Sequence, residues 1–258
     1  MSPVYRMQAM ARHMSFYDLQ AALAQPGCPV CRLAAEVAER YLDFILWERV
    51  MDPDLRRELR HARGFCRDHA WALVRPGSSL GIAVMLRDVL QDLLGSLDVA
   101  AEQPAANARR PLRRLREAID PQPPEATAVV AARLDPQAEQ SCPACVQCRV
   151  MEEVYLDVLL DNLTGADSLL DAYQSSDGLC LSHFRQAVRR VRSQPVLDAL
   201  LRAQRTVWER LDQQLGEVIR KNDYRYHDEP WGDEAGAWLR VVAALAGPHL
   251  EQIKPRVR

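Results

Sequence analysis

Cys28-Pro29-Val30-Cys31 and Cys66-Arg67-Asp68-His69 frame this chain, because the same pattern returns 114 positions later as Cys142-Pro143-Ala144-Cys145 and Cys180-Leu181-Ser182-His183. In both copies 34 residues separate the CPxC turn from the CxxH pair, with no insertion between matching positions. The pattern uses six of the seven cysteines and two of the six histidines. Three thiolates and one imidazole complete the four-coordinate shell of zinc. Each copy therefore reads as one closed site: Cys28, Cys31, Cys66 and His69 in the first, Cys142, Cys145, Cys180 and His183 in the second.

The spacing has a chemical logic. A Cys-x-x-Cys turn offers two sulfurs to one ion, and proline between them stiffens the turn. Cys66 and Cys180 stand where a glycine, Gly64 or Gly178, ends one helix and the next begins. A thiolate there is stabilised by the helix dipole, and a histidine three residues on faces the same side. Zinc is the ion this donor set favours, with a four-iron cluster as the alternative. Cys148, three residues after Cys145, keeps that alternative open as an extra ligand or a redox thiol. The matching position in the first copy is Ala34, which makes a small packing residue the plainer reading of Cys148. A thioredoxin-like dithiol is a poorer fit, because the strand-helix context is missing and Cys66 and His69 go unexplained.

Outward from the cysteines, helical signals dominate. Ser15 and Asp18 form a capping pair for a helix that ends at Pro26-Gly27. After Cys31, apolar residues Leu33, Val37, Tyr41, Phe44, Ile45 and Trp47 recur at helical intervals. Asp52-Pro53 starts a short helix, with Gly64 as its left-handed terminator. Ser79 opens a longer helix whose expected apolar stripe is Leu80, Val84, Leu86, Leu90, Leu93, Leu94 and Leu97. The second copy keeps the layout. Glu39, Tyr41, Leu42, Asp43 and Leu46 match Glu153, Tyr155, Leu156, Asp157 and Leu160, so the pattern reads as an internal duplication. A helix from Pro195 to about Lys221 and a last one near 234–245 complete the chain. The expected architecture is all-α: two duplicated helical modules, each stapled by a Cys₃His site, packed with pseudo-twofold symmetry. The modules cover 1–100 and 140–222. A Pro-, Ala- and Arg-rich linker covers 101–139, with a short helix at 111–119, and a C-terminal loop and helix cover 223–258.

Composition narrows the function classes. The 258 residues are 48% apolar and 26% charged with a net charge of −2, ordinary for a soluble globular protein and unattractive to nucleic acid or anionic membranes. The amino terminus lacks the apolar core of a signal peptide, and no apolar run reaches membrane-spanning length, so the expected location is the cytoplasm. The arginines at 109–116, and Arg185, Arg189, Arg190 and Arg192, read as solvated helix faces more readily than as a phosphate surface. Asp223, Tyr224, Arg225 and His227 lie in a loop dense in aromatic and ionisable groups. That loop is either a functional loop or one whose aromatics dock it onto the helices. No phosphate loop, nucleophile elbow or HExxH motif is present, which leaves no assigned catalytic residue.

Taken together, PGCPVC, ERYLDFIL, GFCRDHAW, SDGLCLSHF and IRKNDYRYHDEPWGDEAGAW resemble an uncharacterised bacterial family known only as a domain of unknown function. The resemblance spans nearly the whole chain. It implies a cytosolic, mainly helical protein with the paired CPxC and CxxH residues as its hallmark, and a C-terminal KxDYR segment. It implies no activity. The reading that follows is a zinc-fixed helical scaffold whose partner stays open, a protein favoured over nucleic acid, with no membrane. An iron–sulfur redox or sensor protein is the alternative.

Overall fold

Asp52 begins its helix as its chemistry dictates. Its side chain accepts the backbone N–H of Asp54 at 2.8 Å and of Leu55 at 3.2 Å, and Pro53 fills the first turn, where no donor is needed. The helix closes on Arg63, itself left-handed at φ 57°, followed by Gly64 at φ 96°. The terminator is thus a pair of left-handed residues, one position earlier than the glycine alone suggests.

The computed structural model describes residues 14–102, 131, 142–165, 168–226 and 228–248. Among them every regular element is helical, which makes the fold all-α. Helix α1 covers 14–23. Helix α2 is Pro29–Phe44, continued by a π-helical turn, Ile45–Arg49. Then come α3 (Pro53–Ala62), α4 (Arg67–Ala72) and α5 (Ser79–Glu102). Beyond residue 141 follow α6 (Pro143–Asp161), α7 (Leu170–Ser175), α8 (Leu181–Arg190) and α9 (Gln194–Lys221). A 3₁₀ turn, Asp233–Gly236, leads into α10 (Ala237–Ala246). The helix expected at 111–119 lies outside the described residues. No described helix is long and apolar enough to cross a membrane.

The chain divides into two compact units, and these do not follow the order of the motif copies. One unit comprises 1–37 with 148–258, the other 38–147. In the first unit, Leu19 and Leu23 of α1 and Val30, Leu33 and Val37 of α2 share one core with Leu156 and Leu159 of α6, Leu163 just beyond it, and Leu200, Val207 and Leu211 of α9. The same core encloses Cys28 and Cys180. In the second unit, Ile45, Leu55, Leu59, Met85 and Val89 form one cluster. A smaller one holds Leu42, Leu73, Cys142 and Ala144.

Two expected apolar stripes are displaced. Beyond Val37 in α2, Ile45 is buried, but Phe44 and Trp47 are exposed at 49% and 74%. Phe44 ends α2 beside the buried Ile45, and Trp47 lies within the π turn that follows. In α5 the buried face is Met85 and Val89 with Ile82 and Leu93 beside it, while Leu80, Leu90, Leu94 and Leu97 are exposed. This helix is apolar on more than one face, so periodicity alone admits more than one stripe. Truncation separates the faces: Met85→Ala should cost about 2–5 kcal/mol in urea denaturation and Leu90→Ala within about 0.5 kcal/mol.

Candidate metal centres

In both copies a long helix follows the CPxC turn and a shorter one precedes the CxxH pair. From Pro29 to Arg49 the chain runs helically for about 30 Å, at 1.5 Å per residue. The ten-residue α3 that follows returns about half that distance before Cys66. The second copy is alike, with a 19-residue α6 and a six-residue α7 before Cys180. In both copies the CPxC turn stands at the head of the long helix, and the CxxH pair follows the shorter one.

The structure gathers Cys28, Cys31, Cys180 and His183 into one group, and Cys66, His69, Cys142 and Cys145 into another. The ligand atoms of each group lie within 4.8 Å of one another, and both groups could hold a metal ion. This corrects the expectation that each motif copy closes a site of its own. Each group takes its CPxC turn from one copy and its CxxH pair from the other, and each lies wholly inside one compact unit.

In the first group, His183 Nδ1 stands 3.5 Å from Cys28 Sγ, 3.3 Å from Cys31 Sγ and 3.4 Å from Cys180 Sγ. Cys31 and Cys180 sulfurs are 3.7 Å apart. The other ring nitrogen, Nε2, faces Glu152 Oε1 at 3.6 Å. Glu152 thus fixes the ring so that Nδ1 points at the sulfurs. Cys180 caps the start of α8 with extended backbone. The loop before it is held from below. Gln204 Nε2 donates to Leu179 O, while Leu179 N–H is shared between Gln204 Oε1 and Tyr173 Oη, each at 3.2 Å. Tyr173 Oη in turn donates to Gln204 Oε1. Burial pushes the Tyr173 phenol up, which keeps it a donor. Gly178 has φ +64°, and a Cβ there would meet Gln204 and Val207 at 3.2 Å. Gly27 N–H donates to Asp177 Oδ2 at 2.7 Å, tying the CPxC turn directly to this loop.

In the second group, His69 Nδ1 is 3.2 Å from Cys66 Sγ, 3.6 Å from Cys142 Sγ and 3.3 Å from Cys145 Sγ, and Cys145 and Cys66 sulfurs are 3.5 Å apart. Cys66 caps α4, as Cys180 caps α8. Burial first, and then Cys66 beside it, raises the Cys145 thiol. In the first group His183 is pushed up to about 12. Burial opposes the charged ring, but Cys180, Cys28 and Glu152 outweigh it.

Cys148 belongs to neither group; its Sγ donates to Ala34 O at 3.5 Å. Donor and acceptor stand 114 positions apart, so α2 and α6 touch at matching positions. The loop residues also stand apart from both groups. Asp223 accepts from the backbone and guanidinium of Arg225, and Tyr224 is 82% exposed. Tyr226 lies under Arg220 and Arg225, and Lys221 sits 5.9 Å over Trp231. His227 lies outside the described residues. Arg190 binds Asp157 through two bonds, at 2.9 and 2.8 Å. At least this arginine of its cluster is engaged within the fold. Sequence reasoning missed Glu152, Tyr173, Asp177 and Gln204, because each supports a ligand from a distance in the chain and none carries a motif.

Two predictions follow from this geometry. Cys28→Ser combined with Cys180→Ser falls within one group, so the double variant should lose one bound ion of two in elemental analysis. A chain whose copies each closed their own site would lose both. Metal must displace the proton of His183, whose folded value lies above neutrality. Apparent zinc affinity should therefore rise as pH increases from about 5 to about 8, read by chelator competition.

The proteins that this chain resembles carry no assigned activity. An uncharacterised 23.9 kDa protein encoded in the xynA 3′ region of Caldicellulosiruptor sp. (strain Rt8B.4) is 22% identical over 221 residues, covering 85% of this chain and 95% of that one. No solved structure matches. The model of a family of unknown function, DUF6062, matches residues 14–252, and the chain belongs to that family.

Proposed function

We propose that the protein is a non-enzymatic helical scaffold in which two zinc ions fix the start of each long helix to the CxxH loop of the other motif copy. The observation that carries this reading is the closed donor set: three sulfurs and one imidazole nitrogen in each group, with every ligand atom in reach of every other. Such a set leaves no position for substrate, which is the mark of a structural ion.

The spacing supports a single ion over a cluster. With Zn–S near 2.3 Å, the edge of a tetrahedron is about 3.8 Å. The sulfur pairs here stand at 3.7 and 3.5 Å. A four-iron cluster has its own bulk and holds its thiolates farther apart. Cys148, the thiol that would extend a ferredoxin-like run, is turned to the Ala34 carbonyl instead. Each ion also closes a long loop, about 150 residues from Cys31 to Cys180 and about 75 from Cys66 to Cys142, so metal binding is coupled to folding.

The scaffold's task is to present a surface to another protein. Exposed Trp47, Trp71 and Trp238 supply the kind of side chain on which protein interfaces are anchored. Protein purified without oxygen should be colourless and hold two zinc ions per chain, and chelation should lower its melting temperature by well over about 5 °C. A brown sample with visible absorbance would overturn the zinc reading. Metal removal that leaves melting unchanged would overturn the structural role.

A further inference from the structure

The two groups share a donor set but not their surroundings. Three of the first group's four ligands, Cys28, Cys180 and His183, are buried, at 4%, 1% and 6% exposure, with Cys31 partly exposed, and Cys28 and Cys180 belong to the main core of their unit. In the other group Cys142 is buried, while Cys66, His69 and Cys145 are all partly exposed. Cys142 belongs to a cluster with Leu42, Leu73 and Ala144, far smaller than the core around Cys28 and Cys180.

The supports of the buried group have no chemical counterpart at matching positions. Gln204 and Tyr173, which hold the loop before Cys180, correspond 114 residues earlier to Leu90 and Leu59. Neither leucine can hydrogen-bond a backbone group, and Leu90 is 56% exposed. Asp177, which binds the Gly27 amide, corresponds to Arg63, whose guanidinium pairs with Asp92. The Gly64 loop is correspondingly open: a Cβ on Gly178 would press on Gln204 and Val207 at 3.2 Å, whereas one on Gly64 would meet only Leu86 at 4.0 Å.

We infer that the two centres differ in permanence: Cys28, Cys31, Cys180 and His183 retain their ion, and Cys66, His69, Cys142 and Cys145 form the centre that exchanges zinc with the surroundings. This rests on the metal-binding reading above and adds regulation to it. Exchange needs a competing ligand to reach the ion, or a protein ligand to swing away. Partial exposure permits the first, and a loop without a buried polar brace permits the second. Loss of that ion frees the Cys142 turn from the Cys66 loop and loosens the 38–147 unit, while the other core keeps its metal. The protein thereby responds to the level of available zinc.

The test uses the full chain loaded with two zinc ions. An excess of the chromogenic chelator 4-(2-pyridylazo)resorcinol withdraws metal, N-ethylmaleimide is added at intervals, and modified cysteines are mapped by mass spectrometry. One equivalent should leave at least about tenfold faster than the other, a difference of the size that outer supports confer. Cys66, Cys142 and Cys145 should be labelled with the fast phase, and Cys28, Cys31 and Cys180 only with the slow one. Glu152→Gln and Gln204→Leu should accelerate the slow phase and leave the fast phase unchanged. Release of both equivalents in a single phase, or earlier labelling of Cys28, Cys31 and Cys180, would overturn the inference while leaving two-site zinc binding intact. A chain that binds no zinc at all would instead sink the metal reading itself. The wild-type labelling order decides the matter even where a variant does not fold.

Discussion

A helix that begins at a cysteine turn cannot bring its own far end back to that turn. In this fold the head and the tail of each such helix accordingly belong to different compact units. Helix α2 with its π turn, and helix α6, are longer than the helices that follow them. The CxxH pair that meets each turn comes instead from the other copy. The donor sets complete themselves by exchange, and each compact unit contains one full set. The far ends of the same helices stay with their own copy: Asp43 binds Arg75 at 2.6 Å, and Asp157 binds Arg190 at 2.8 Å. One helix thus serves two masters, its head in one unit and its tail in the other.

The exchange gives the proposed ions a role beyond local bracing. An ion inside one copy would pin about 40 residues. An ion joining the copies fixes points far apart in the chain, where loop closure costs more entropy and its removal from the unfolded state stabilises more. It also makes the two halves interdependent, since neither motif copy assembles a complete donor set alone. The surroundings then divide the labour. The braced, buried set suits permanence, and the open one suits response.

Much of this was legible from residue types. The all-helical class, the caps at Asp52, Cys66 and Cys180, and the breaks at Gly64 and Gly178 follow from local chemistry that operates over a few residues. The eight clustered side chains were legible for the same reason, because sulfur and imidazole at fixed spacing have few other uses. The stripe of α5 was not. Ile82, Met85, Val89 and Leu93 compete with Leu86, Leu90, Leu94 and Leu97 at equal spacing, and only neighbouring helices decide between them. Nor was the turn at Ile45–Arg49, whose π geometry leaves no mark in propensity.

The sequence by itself determined the donor chemistry: which side chains could bind, in what number, and at which helix ends, because these depend on side-chain type and on spacings shorter than a helical turn. Only the tertiary structure decided which turn meets which pair, because that depends on the length of intervening helices and on where each one can pack. It alone also separated the two centres. Glu152, Tyr173, Asp177 and Gln204 act across the fold, through contacts that no run of neighbouring residues encodes.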